Sequence, residues 1–103
     1  MKLIKELSEQ IEEELDGAEW YAKKALKCRD EHPTLAKTFY DIATDEMRHA
    51  ELLHGEVLRL IDSYRKQHGD PPAAMLAVYD YMHEKQIEEA NEVRGYLSQY
   101  RSA

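Results

Sequence analysis

The sequence predicts an all-α protein, a long antiparallel helical hairpin plus a third long helix, that pairs with a second chain into a four-helix bundle. Three observations predict it. Proline and glycine break the chain at two clear places, Arg29-Asp30-Glu31-His32-Pro33 and Gln67-His68-Gly69-Asp70-Pro71-Pro72. Between the breaks, apolar residues recur at steps of three and four, the period of one helical face. The 103 residues, 43% apolar and 34% charged, suit a single domain of few, long helices. The core of so small a domain is modest, so packing against another copy adds much.

The first helix is expected near residues 3 to 29, where Ile4, Leu7, Ile11, Leu15, Ala18, Ala22 and Ala25 share a face. The second is expected near residues 33 to 67. It opens on Pro33, which a first helical turn tolerates because the amide there has no intrahelical partner. Its stripe is Leu35, Phe39, Ile42, Ala50, Leu53, Val57, Leu60, Ile61 and Tyr64. The third, near residues 72 to 101, follows two prolines with Asp70 as a candidate cap. Its stripe is weaker and runs through Met75, Tyr79, Met82, Ala90, Val93, Leu97 and Tyr100. At about 1.5 Å per residue each helix is roughly 40 to 50 Å long. Connections this short make sequence neighbours antiparallel.

A net charge of −7 without a Lys/Arg cluster repels phosphate backbones and anionic membrane surfaces, which argues against nucleic acid and membranes as partners. Cations are favoured by the same surface. Cys28 is the only cysteine, which rules out an intrachain disulfide and thiolate-rich metal sites. The start, Met1 to Gln10, turns charged at once, and no stretch approaches the length of a membrane span. A cytoplasmic location is expected, either free or within a cytoplasmic protein compartment.

Three ionisable residues occupy positions where the stripes call for something apolar. Burying a carboxylate costs several kcal/mol, on the order of a whole domain's margin, unless it is paired or holds a metal. Glu14 shares the face of Ile11 and Ala18. Glu46 lies four residues after Ile42 and four before Ala50. His49 follows one turn later, roughly 60° around, so that both side chains can approach one point. Glu-x-x-His is how carboxylate-bridged di-iron bundles offer two ligands from one helix. The spacing is weak alone, since Glu51-Leu52-Leu53-His54 repeats it. Position separates the two, because Glu51 lies roughly 140° around from Glu46, on the solvent side. In an antiparallel hairpin Glu14 and Glu46 are almost level about the first break. The third helix offers no equivalent, having neutral Gln86 at mid-stripe with His83 and Glu89 to either side. A two-fold axis through the site would supply the missing carboxylates and second imidazole. Hard oxygens with one imidazole per metal suit iron, with manganese as the alternative. Taken singly, each residue also has a plainer reading: a snorkelling or lysine-paired Glu14, and a hydrogen-bonded core His49.

The segment Glu13-Glu14-Leu15-Asp16-Gly17-Ala18-Glu19-Trp20-Tyr21, followed by Asp45-Glu46-Met47-Arg48-His49-Ala50, resembles the encapsulated ferritins, a two-helix branch of the ferritin-like superfamily that includes bacterioferritin and rubrerythrin. The likeness covers roughly residues 7 to 61. It implies a ferroxidase centre formed between two chains by Glu14, Glu46 and His49, with Glu46 bridging the metals and Tyr21 close by. It also implies that Glu13 and Asp16, near Trp20, form an acidic route by which metal enters. Members of that family have a short last helix and a tail directing them into an encapsulin shell. This chain has a long third helix and ends Tyr100-Arg101-Ser102-Ala103, without a clear targeting tail. An encapsulin shell is therefore an expected partner of the family more than of this sequence.

Three functions are expected to compete. The first is a ferroxidase, oxidising Fe(II) to Fe(III) for storage or detoxification by a homodimer or larger homo-oligomer. The second is a peroxide-handling di-iron protein of the rubrerythrin kind, which the lack of a Cys-rich electron-transfer module disfavours. The third is a non-catalytic helical oligomerisation module in which the Glu/His layer fixes register.

Overall fold

The computed structural model describes residues 2–102, leaving Met1 and Ala103 outside. They form three helices, α1 (Lys2–Cys28), α2 (Pro33–His68) and α3 (Ala73–Arg101), with no strand among the described residues. The bounds agree with those expected to within a residue. The bundle measures 56 × 18 × 18 Å and runs up, down and up, so that α1 and α3 are parallel and α2 is antiparallel to both. None of the described helices is long and apolar enough to cross a membrane.

The breaks act as their residue types dictate. Pro33 takes the first position of α2, and the His32 amide closes the preceding turn on the Cys28 carbonyl at 2.7 Å. Gly69 ends α2 with φ 78°, a left-handed conformation that glycine adopts without a Cβ clash, while its amide reaches the Arg65 carbonyl at 3.0 Å. Asp70 does not cap α3. The cap position is Pro72, whose carbonyl accepts the Met75 and Leu76 amides, and Asp70 instead faces Arg65 at 3.5 Å.

The core lies between α1 and α2. On α1 the expected stripe is buried, with Ile11, Leu15, Ala18, Ala22 and Ala25 at 3% exposure or less. On α2 the buried line is rotated from the expected one. Ala36, Ala43, Met47, Ala50, Val57 and Ile61 carry it, while Leu35 is 45% exposed and Ile42, Leu53 and Leu60 are half-buried. The apolar band of α2 is thus wider than one neighbouring helix covers. Alanines at the facing positions let the two helices approach closely near the turn.

α3 rests mainly on α1, and its backbone stays apart from α2, which it meets through long side chains. Val93 and Leu97 are its buried apolar residues, and Gln86 is buried with them. That neutral amide at mid-stripe has a structural use, since its Nε2 donates to the Ser8 carbonyl at 3.2 Å. At the far end Arg29 donates to the Gln99 carbonyl at 3.0 Å, and Tyr40 stacks on Tyr100 with centroids 4.7 Å apart. These contacts tie the end of α3 to the first turn of the hairpin. Along one side of α1, Lys23 lies over Tyr96 and the Asp16 and Glu19 carboxyls meet Glu89.

Candidate metal centre

Halfway along the hairpin, α1 presents Glu14, Gly17 and Tyr21 on one edge at steps of three and four, and α2 presents Glu46 and His49 opposite. His49 Nδ1 stands 3.5 Å from Glu14 Oε2, with side-chain exposures of 46% and 22%. Metal–ligand bonds of about 2 Å place two ligands of one ion roughly 3 to 4 Å apart, so this separation suits a shared cation as well as it suits a weak ion pair.

Glu46 is held differently. Its side chain crosses to α1 and lies against the backbone at Gly17. Its Oε2 is buried and has no hydrogen-bond partner. Burial raises its pKa, the negative charge of Glu14 raises it further, and His49 opposes both. A hard divalent cation would satisfy such a buried, unpartnered carboxylate oxygen, with Glu14 and His49 as the nearest ionisable groups on the same edge. Two carboxylates and one imidazole are less than a two-metal site requires. Among the described residues, no three His, Cys, Asp or Glu side chains of a single chain form a metal-holding group.

The three expected ligands are thus brought to one level and one edge of the hairpin. Tyr21 lies one turn beyond Gly17, its ring 5.0 Å from Trp20 and 5.7 Å from Phe39 in an aromatic cluster. The residues expected to admit metal are not gathered. Glu13 is exposed, and Asp16, roughly 160° around α1 from Glu14, turns to Glu89 of α3. The site therefore occupies the edge of the hairpin that α3 leaves uncovered, for Glu19, which also faces α3, is roughly 140° from Glu14.

Two features were not read from the sequence. One is Gly17 itself, although a glycine inside a helical pattern three residues after a candidate ligand signals a close approach. The other is a column of rings between α2 and α3. His54 and His83 are half-buried and stack at 4.6 Å and 9°, with Tyr79 continuing the stack at 5.7 Å. His54 Nε2 and the Tyr79 hydroxyl are buried without partners. Burial, with the nearby His83, lowers the His54 pKa. The stack borders a cleft of about 160 Å³ whose apolar wall includes Ile11, Leu15 and Met47, and Glu51 and Arg94 pair across it at 3.6 Å.

Compared with known proteins, the chain matches no family model, no curated protein and no solved structure.

Proposed function

We propose that the chain is an iron-binding, ferritin-like protein that oxidises Fe(II) to Fe(III) at a two-metal site shared by two copies. The observation that carries this reading is the Glu46 Oε2, buried and unpartnered on the edge where Glu14 and His49 come within 3.5 Å of one another. Iron is the substrate here, and manganese is the alternative ion for the same ligands. Glu46 would bridge two ions, while Glu14 and His49 each complete the shell of one. A second copy related by a two-fold axis would contribute the same three residues, making four carboxylates and two imidazoles.

The chain's own residues bind and orient the ions, and their carboxylate charge favours the oxidised form. Each ferrous ion gives up one electron to O2 or to peroxide. The half-exposed Leu35, Ile42, Leu53 and Leu60 on the band around Glu46 and His49 support a second copy as the cover, since they leave apolar surface to be buried. Storage of the product would need a shell made by this protein or by an encapsulin-type compartment. Tyr21 would stand close to the site, on the same edge of α1 as Glu14 and Gly17.

Anaerobic Fe(II) titration with measurement of solution mass, followed by admission of O2, tests the reading. Wild type should bind about one iron per chain as a dimer or larger oligomer and consume O2. Glu46→Ala and His49→Ala should abolish iron-dependent absorbance and keep their helicity. Wild-type oxidation kinetics in either variant would refute the ligand assignment. Turnover with peroxide alone would favour the rubrerythrin-like reading, and no stoichiometric metal would leave a helical oligomerisation module.

A further inference from the structure

Three glycines lie inside helices, at positions 17, 55 and 95. A helical glycine is a liability, because the unfolded chain gains freedom and the helix loses a side chain that would shield it. At Gly55 and Gly95 an added Cβ would meet nothing within 4 Å. Gly17 differs. A Cβ there would stand 3.0 Å from Cδ and 3.1 Å from Oε1 of Glu46, and closer still to Oε2. The space a side chain would fill already holds a carboxyl group from the other helix.

We infer that Gly17 is a positioning residue: its missing side chain leaves a notch in α1 that seats the Glu46 carboxyl and fixes where that group meets Glu14 and His49. The helices cannot relieve a clash by separating, because Ala18, Ala22 and Ala43 beside the notch are fully buried in contact across the seam. The yielding part is the end of the Glu46 side chain, which any residue larger than glycine would drive out of the notch. A displacement of about 1 Å is enough to spoil a ligand constellation. The packing half of this inference stands on the geometry alone. Its consequence for metal rests on the function proposed above.

The experiment compares wild type with Gly17→Ala, Gly55→Ala, Glu46→Ala and the double variant Gly17→Ala/Glu46→Ala. Thermal melting of the metal-free proteins reads the notch, and Mn(II) titration under anaerobic conditions reads its consequence. Gly55→Ala should raise the melting temperature by about 2 to 8 °C, the usual gain for alanine in an open helical position of a domain this size. Gly17→Ala should show no such gain in the wild-type background and should recover it in the Glu46→Ala background. It should also weaken Mn(II) binding at least tenfold, with Gly55→Ala unchanged. A gain at Gly17→Ala equal to that at Gly55→Ala overturns the inference, and so does wild-type Mn(II) affinity in Gly17→Ala. Wild-type protein that takes up no Mn(II) overturns the proposed function instead, and the melting comparison still decides whether the notch exists.

Discussion

Replacing Glu89 with glutamine should stabilise the protein in mild alkali and remove much of its dependence on pH. Glu89 is half-buried on α3 and meets Asp16 and Glu19 of α1. Burial, then the hydrogen bond and charge of Asp16, push its pKa from 4.5 up to about 8. Glu19 moves the other way, lowered chiefly by Lys23 at 2.8 Å, so the proton held among these carboxyls belongs to Glu89. Between 4.5 and about 8 the folded protein keeps a proton that the unfolded chain releases, so stability falls as pH rises through that window. In a dry site a rise of that size is equivalent to about 5 kcal/mol, and the water around this half-open group reduces it to about 1 to 2 kcal/mol. For a chain of this length that is roughly 4 to 15 °C in melting temperature. Thermal denaturation followed by circular dichroism from about pH 5 to pH 9 should therefore show a falling wild-type midpoint and a flatter Glu89→Gln curve that ends above it. Parallel curves would refute the reasoning, because they would mean that Glu89 releases its proton as readily in the folded protein as in the unfolded one.

Two further outcomes test the packing. Leu15→Ala, at a position 2% exposed in the α1–α2 core, should cost about 2 to 4 kcal/mol through lost burial and the cavity left behind, read from the midpoint of urea unfolding. A loss under about 1 kcal/mol would mean the seam collapses freely around the missing side chain. Acidification should act through His54, because a base whose pKa is lowered on folding contributes stability that is lost as pH falls below 6.5 through the lowered value. His54→Leu should therefore lose less melting temperature than wild type between about pH 7 and pH 5, and an equal loss in both would place the acid sensitivity elsewhere.

The helices and the level of the candidate ligands were legible because each followed from a local rule. Proline at the first position of α2, glycine after its end and a period of three to four residues fix the elements. Nearly equal distances from the first break put Glu14 within a turn of Glu46, although the side chain Glu14 meets is His49 and Glu46 lies against Gly17. What the sequence hid depends on which side of a wide stripe meets which neighbour. The apolar band of α2 reads as one stripe centred near Ile42 and Leu53, yet α1 takes only the half containing Ala43, Met47 and Val57. The position of α3 was hidden for the same reason. Its stripe is weak, and its contacts are an amide on the Ser8 carbonyl, a carboxyl cluster at Glu89 and a stack of imidazoles, none of which has a period. Asp16 illustrates the cost, for the same acidic side chain that suits a path for metal is claimed by a helix on the far side of α1.

Because α1 alone spans the space between its two neighbours, the three helices are not equally dispensable. Detaching α3 would forfeit its seam with α1 and its side-chain contacts with α2, yet leave the α1–α2 pair that carries Glu14, Glu46 and His49. Losing α1 would leave the other two joined only by side-chain contacts at separate points, such as His54 on His83 and Tyr40 on Tyr100, with no shared apolar seam. The first third of the chain therefore carries the packing of the other two.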